Sequence, residues 1–201
     1  MSGTRGSGAR GALIAVLGPS GAGKDTLIAG AARARPDLVW ARRAVTRPPD
    51  AGGEPFESLT VDEFLRRRAA GEFALHWAAH GRLYGVPASI RDALAAGRPV
   101  IFNGSRAALP DARRAFPELR AIFVTAPEAV LAARLAARGR EDAAEIRARL
   151  ARAALAPLGA PPPGAGVIVN DGTVEAGVAR LLALLAPAES DGRGATGGRN
   201  R

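Results

Sequence analysis

Lys24 is the only lysine among 28 basic residues, and it stands in a glycine-rich turn, Gly18-Pro19-Ser20-Gly21-Ala22-Gly23-Lys24-Asp25-Thr26. The apolar run Ala12 to Leu17 precedes the turn and helix formers follow it. The stretch therefore reads as strand, phosphate loop and helix. Glycines let successive backbone N–H groups turn inward around an anion, and the positive end of the following helix strengthens that field. A lysine at the helix start reaches the outer phosphates of a nucleotide, a task for a compact, flexible ammonium and not for a planar guanidinium. Gly18 to Thr26 are thus the candidate nucleotide-binding residues, and Lys24 is the first candidate catalytic residue. The position after such a lysine usually carries a Ser or Thr whose hydroxyl meets Mg²⁺. Here it is Asp25, with the hydroxyl one residue later at Thr26. A carboxylate in the first helical turn is favoured by the helix dipole, yet beside phosphates it repels them unless a cation intervenes. Asp25 and Thr26 are both candidates for holding Mg²⁺, directly or through water.

Three arginine groups lie outside the loop. In Arg42-Arg43-Ala44-Val45-Thr46-Arg47, alternation puts Arg43 and Val45 on one strand face and leaves Arg47 at the end, a fork for a substrate phosphate. Arg134 and Arg138 are four apart on one helix face, beside a break at Gly139-Arg140, and Arg147, Arg149 and Arg152 follow on a second helix. Helix, glycine break and arginine-bearing helix read as a lid closing over transferring phosphates. Arg66-Arg67-Arg68 sits beside no glycine loop and reads as a solvated helix face. His76 and His80 flank Trp77 near Tyr84 and read as half-buried polar residues of a strand and turn. Glu54, Glu57 and Asp62 either orient sugar hydroxyls or simply occupy a loop.

Composition narrows the chemistry. At 201 residues, 47% hydrophobic and 23% charged, the chain suits one globular domain with a sizeable core. Cysteine is absent, which removes disulfides and thiolate metal sites, and two histidines make a histidine-built zinc site improbable. Of the net charge of +9, residues 1–11 carry +2 and residues 188–201 carry +1, leaving +6 on the body beside the phosphate loop. Aromatic residues are 4%, little material for stacking along single strands. A small, highly phosphorylated substrate accounts for this charge more economically than nucleic acid does. No apolar run approaches the ~20 residues of a membrane span. The N-terminal apolar run is too short for a signal peptide, so a cytoplasmic protein, monomer or homodimer, is expected.

The elements that must position these residues follow from periodicity and punctuation. Residues 1–11 and the tail after Pro187 have the composition of disordered segments. A helix from Lys24 to Arg35 is stopped by Pro36. Leu38–Trp40 and Arg43–Thr46 read as a second extended segment, and residues 50–58 as a loop. Thr60 and Glu63 have the spacing of a capping box, opening a helix from Val61 to about Ala70. Phe73–Trp77 reads as a strand, Gly81–Pro87 as a turn, and Ser89–Ala96 as a helix closed by Gly97. Strands at Pro99–Phe102, Ala121–Val124 and Val167–Val169 alternate with helices at Leu109–Phe116, Glu128–Ala137, 144–156 and Val174–Leu185. The alternation predicts an α/β fold, a parallel sheet covered by helices on both faces. Ligands then collect at the carboxyl ends of the strands, where the phosphate loop, Asn103 and Thr125 fall.

Gly18–Lys24, Val45-Thr46-Arg47-Pro48, Val61-Asp62-Glu63-Phe64, Tyr84-Gly85, Arg134–Gly139, Ile146–Leu150 and Val167–Asp171 stand in the order and spacing of the guanylate kinase family. The chain resembles that family over about residues 12–186. The resemblance implies a P-loop NTPase core with a small substrate-binding insert (about 38–98) and an arginine lid (about 134–150), in a kinase domain of residues 12–187. Guanylate kinases have a longer glycine-glutamate-tyrosine loop where this chain has Gly52–Phe56. They have a glutamate facing guanine where it has His76, and an aspartate-rich strand end where it has Phe102–Arg106. The acidic groups that would bond guanine are missing, so a purine reader is not expected. These departures, with Gly23-Lys24-Asp25-Thr26, Leu75-His76-Trp77 and Asn103–Ala107, are similar to the ribose 1,5-bisphosphate phosphokinases, a branch of the guanylate kinase-like group acting in phosphonate breakdown.

That similarity implies ATP and Mg²⁺ as cofactors and a sugar bisphosphate as acceptor, with 5-phosphoribosyl 1-diphosphate as product. The attacking phosphate oxygen is already ionised at neutral pH, so catalysis reduces to positioning and charge neutralisation. Lys24 is expected to bridge ATP and the transferred phosphoryl, and Arg134 and Arg138 to close on the transition state. Arg43, Arg47 and Arg106, with Tyr84 and Asn103, are expected to hold the substrate, and Asn170 and Asp171 to lie near the adenine. Two other readings stand beside this one. The chain could be a guanylate kinase with an unusual base pocket, or a guanylate kinase-like binding module without catalysis; the intact glycines and single lysine argue against the module.

Overall fold

The computed structural model describes residues 11–49, 55–137 and 160–186. Arg138, Glu54, the expected helix over 144–156 and both terminal segments lie outside them. The first half comprises β1 (Leu13–Leu17), α1 (Lys24–Ala34), β2 (Val39–Trp40), β3 (Ala44–Val45), β4 (Glu57–Ser58), α2 (Val61–Ala69), β5 (Phe73–Ala79) and β6 (Arg82–Pro87). The second comprises α3 (Ile90–Ala95), β7 (Val100–Asn103), α4 (Leu109–Ala115), β8 (Arg120–Thr125), α5 (Glu128–Ala136), β9 (Gly166–Val169) and α6 (Val174–Leu185).

A parallel sheet must be covered on both faces, and β1 shows how this sequence does it. Every β1 residue is buried, and its side chains alternate between two cores. Ile14 and Val16 join Leu27 and Ile28 of α1, Leu131 of α5 and Leu181 of α6. Leu13, Ala15 and Leu17 join Ile90 of α3 and Leu109 of α4, together with Leu75 and Val86 from a second sheet. The main sheet has the order β2-β7-β1-β8-β9, with all its pairings parallel. The carboxyl ends of β1, β7, β8 and β9 therefore open on one edge.

The second sheet has the order β4-β3-β6-β5 and differs from the sequence reading at three points. Leu38–Thr46 is not one extended segment: β2 belongs to the main sheet and β3 to the second, with buried Ala41 between them. Residues 57–58 leave the expected loop to pair in parallel with β3. Gly81–Pro87 is not a turn but mostly the strand β6, antiparallel to β5. The turn is His80-Gly81 alone, at φ 52° and 68°, a two-residue hairpin whose positive φ values match strand twist.

Phe64 and Phe73 stack at 4.7 Å and form, with Ala44, a small core under α2. Half of the expected capping box is present: the Glu63 backbone N–H donates to Thr60 Oγ1 at 3.2 Å, while the Glu63 carboxylate accepts from Arg66. Arg67 is held by Glu57 at 2.6 Å and Glu72 at 2.7 Å, and Arg66 by Glu63 at 2.7 Å. This part of the arginine run serves the fold, as its sequence context predicts.

α1 and α6 approach closely at Gly30, where a Cβ would collide with Cγ2 of Val178. Alanine in a helix interior normally gains about 1 kcal/mol over glycine. Here overpacking against a stiff β-branched side chain reverses the sign. Gly30→Ala is expected to lose about 1–3 kcal/mol in urea unfolding, whereas in a Val178→Ala background the same change should be neutral or stabilising. Equal losses in both backgrounds would refute the packing argument.

Candidate active site

The phosphate loop leaves β1 between the ends of β7 and β8. Gly18, Gly21 and Gly23 take φ values of 141°, 86° and 89°, conformations that bulkier residues resist and that turn the loop tightly. Gly23 is the N-cap of α1, with no side-chain cap, so the first N–H groups of the helix are left for an anion. Lys24 folds back across the loop, its Nζ donating to the carbonyl oxygens of Gly18 at 3.0 Å and Pro19 at 2.9 Å.

Asn170, just beyond β9, ties this loop to the rest of the edge. It is only 6% exposed. Its backbone N–H donates to the Thr125 carbonyl at 2.7 Å, and its side-chain Nδ2 donates to the Ala22 carbonyl at 2.8 Å. Its own carbonyl accepts from Arg134 Nη1 at 3.0 Å. A Cβ on Gly23 would lie 2.5 Å from Asn170 Nδ2, so this position also needs glycine for the close approach. The arrangement walls an open groove of about 270 Å³, lined by Gly23, Thr26, Arg134, Asn170, Gly172 and Val174. Expected near an adenine, Asn170 directs its amide into the loop. Asp171 is exposed, 3.3 Å from Arg180. Arg134 lines the same groove.

Asp25 and Thr26 diverge. Asn103, 7% exposed at the end of β7, donates from Nδ2 to Asp25 Oδ1 at 2.6 Å. Thr26 is exposed and lines the groove. The carboxylate is therefore turned toward the end of β7, while Thr26 lies on the groove. Asn103, read from sequence as a substrate ligand, orients Asp25 in this arrangement.

The remaining arginines are carried on aromatic platforms. Arg43 is 9% exposed, with its guanidinium carbon 5.0 Å from the ring centroid of Tyr84 and 5.6 Å from that of Trp77. Those two rings stack at 5.4 Å. Arg47 lies 3.8 Å over Phe56 and Arg106 lies 4.3 Å over Phe123. Such stacking fixes a guanidinium while its N–H edge remains a fork for oxyanions. Burial pushes the Arg106 pKa below the ordinary guanidinium value. A narrow crevice of about 20 Å³ separates the two sheets, lined by His76, Trp77, Phe102, Gly104, Ser105 and Asp111 among others. His76 and His80 are both exposed, not half-buried. Sequence reasoning missed the platforms Trp77, Phe56 and Phe123. Trp77 was within reach, because it pairs directly with Tyr84 across the hairpin, but that register is invisible while β6 is read as a turn.

Among the described residues no helix is long and apolar enough to cross a membrane. A family model described as an AAA domain matches residues 13–158. The chain is 52% identical over 178 residues to the ribose 1,5-bisphosphate phosphokinase PhnN of Acidiphilium cryptum, covering 87% of this chain and 92% of the relative. It is 49% identical over 182 residues to the bifunctional ribose 1,5-bisphosphokinase-thymidine phosphorylase of Azorhizobium caulinodans, covering 87% of this chain and 25% of that longer protein. Among solved structures, guanylate kinase from Anaplasma phagocytophilum superposes with a TM-score of 0.63 at 19% identity, over 88% of this chain and 85% of that one. This likeness establishes the fold expected from the motif order. A phosphate loop on a parallel sheet and a relative 52% identical over 92% of its own length lead to one assignment: the chain belongs to the ribose 1,5-bisphosphate phosphokinase family, P-loop kinases of guanylate kinase-like fold.

Proposed function

We propose that the protein transfers the γ-phosphoryl group of ATP to the 1-phosphate of ribose 1,5-bisphosphate, forming 5-phospho-α-D-ribose 1-diphosphate in the cytoplasm. The observation that carries this reading is the 52% identity to a kinase named for that substrate, over 92% of its length. An oxygen of the 1-phosphate attacks the γ-phosphorus, and the bond from that phosphorus to the β–γ bridging oxygen breaks. ADP leaves with the electron pair. The attacking oxygen is ionised at neutral pH, so no histidine or carboxylate is needed to remove a proton.

The loop glycines and the first turn of α1 offer N–H donors to the phosphates. Lys24 exchanges its two loop carbonyls for phosphate oxygens and bridges ATP to the transferred group. Thr26, Arg134 and the backbone around Asn170 line the groove for the nucleoside. Arg138, which lies outside the described residues, completes the arginine lid. Arg43, Arg47 and Arg106 hold the acceptor, with Tyr84 beneath Arg43. At about 20 Å³ the crevice holds a water-sized group, so a sugar phosphate enters with the second sheet displaced from the main one.

Asp25 fits Mg²⁺ chemically. It is a hard oxygen donor, oriented by Asn103, and a carboxylate at the mouth of a phosphate loop is repulsive unless a cation joins it to the phosphates. Mg²⁺ is commonly held by one or two carboxylates plus substrate phosphates. When bound, it neutralises charge on the β- and γ-phosphoryl oxygens.

ADP release with Mg-ATP, offering ribose 1,5-bisphosphate and GMP in parallel, is expected to favour the bisphosphate by at least about a hundredfold in kcat/KM. Turnover of GMP alone would overturn the reading. Lys24→Arg should lose about a hundred- to a thousandfold in kcat with its thermal midpoint unchanged; near-normal activity would refute the argument from the single lysine. Asp25→Ala should raise the Mg²⁺ concentration needed for half-maximal rate, whereas Thr26→Ala should raise the KM for ATP and leave that concentration alone. An unaltered Mg²⁺ requirement in the Asp25 variant places the metal elsewhere.

A further inference from the structure

We propose that Arg106 seats the non-reacting 5-phosphate of the acceptor, and so makes the site specific for a sugar bisphosphate over a monophosphate. The inference rests on the reaction assigned above and goes beyond it by separating the two phosphates of the substrate.

Arg106 is a half-buried cation that no carboxylate among the described residues balances. Its Nη1 is buried without a hydrogen-bond partner, and its guanidinium carbon lies 4.3 Å from the ring centroid of Phe123. Among the described residues no carboxylate pairs with it, and burial alone accounts for its lowered pKa. An uncompensated buried charge destabilises a fold. It persists where a ligand supplies the counter-ion, and the side chain remains partly exposed, so a ligand can reach the fork. Two or three oxyanions on one phosphorus suit a planar guanidinium.

The number of cations on each sheet separates the two phosphates. Three residues earlier, Asn103 holds Asp25 beside the phosphate loop. By Arg106 the chain has turned onto Phe123, which pairs with Leu17 of β1 in the main sheet. The other fork stands on the second sheet, Arg43 over Tyr84 and Trp77, with Arg47 four residues on. The crevice between the sheets is walled by Trp77 on one side and by Gly104 and Ser105, immediately before Arg106, on the other. With the second sheet displaced to open this crevice, a ribose bearing phosphates on C1 and C5 reaches from one fork to the other. The end with several cations suits the phosphate whose charge changes during transfer. The single fork on the main sheet suits the one whose charge stays constant. Remote binding of this kind raises kcat as well as affinity, because it aligns the reacting end.

The test compares wild type and Arg106→Leu, each with ribose 1,5-bisphosphate and with ribose 1-phosphate at saturating ATP. Wild type should prefer the bisphosphate by about a hundredfold or more in kcat/KM. In the variant that preference should fall to a few-fold, through loss on the bisphosphate alone. Arg106→Lys, which keeps the charge but not the fork, should retain part of it. Thermal unfolding gives a second readout. Without substrate, Arg106→Leu should melt at or above the wild-type temperature, since an unpaired buried charge is gone, and the rise in Tm that the bisphosphate gives wild type should vanish. Equal losses on both acceptors, an unchanged preference, or a bisphosphate-induced rise in Tm that survives the substitution would each overturn the role of Arg106 while leaving the reaction standing. A wild type that phosphorylates neither sugar would instead overturn the reaction and this inference with it.

Discussion

The side-chain amide of Asn170 donates to the carbonyl oxygen of Ala22 at 2.8 Å, joining parts of the chain that are 148 residues apart. A phosphate loop built of glycines has little conformational preference of its own. Its shape has to be imposed from outside, and at this edge of the sheet Asn170 does so. The same residue joins β9 to β8 through its N–H and receives Arg134 on its carbonyl. Loop, sheet and the Arg134 side chain of α5 are thus referenced to one buried point. Gly23 must lack a Cβ for the amide to come this close, and Gly177 of α6 leaves room on its other side. Losing a buried hydrogen bond of this kind typically costs about 1–3 kcal/mol, but the larger effect here is on geometry, because phosphoryl transfer depends on placement to within fractions of an ångström.

Much of this was legible in the chain. Local signals are strong where one residue type can satisfy a physical demand: the glycines of the loop, the lone Lys24, the Thr60–Glu63 cap, and the apolar runs that became β1, β7 and β8. Legibility failed where long-range pairing outweighs local preference. Arg82–Pro87 contains a glycine and ends in a proline, and it looks like a turn; it is a strand because Leu75, Trp77 and the rest of β5 lie alongside it. Glu57-Ser58 is extended because β3 needs a partner on its open side. Neither fact leaves a mark on the residues nearby.

The site shows the same division. Residues whose roles lie in their backbone or in local sequence, Gly18 to Thr26, were found by pattern. For residues whose roles come from what they touch, the partners were not legible: Asn103 donates to Asp25, and Asn170 to the loop. Of the aromatic platforms under Arg43, Arg47 and Arg106, only Tyr84 was singled out as a site residue. Arginines resting on rings explain how a chain so rich in positive charge can bring several guanidiniums toward one substrate. Each guanidinium rests its face on a neutral ring, which holds the cation without adding a charge of its own.

The single lysine has a consequence for chemical access. Apart from the amino group at the head of the chain, a reagent selective for amines meets one nucleophile in 201 residues, and that nucleophile sits inside the phosphate loop. Its reactivity is coupled to the loop's state, because Nζ is engaged by the carbonyls of Gly18 and Pro19 and must leave them before it can attack anything. The rate at which such a reagent marks the chain is therefore a clock for loop opening. With arginine at the other 27 of the chain's 28 basic positions, ordinary acylation becomes a probe of the phosphate loop.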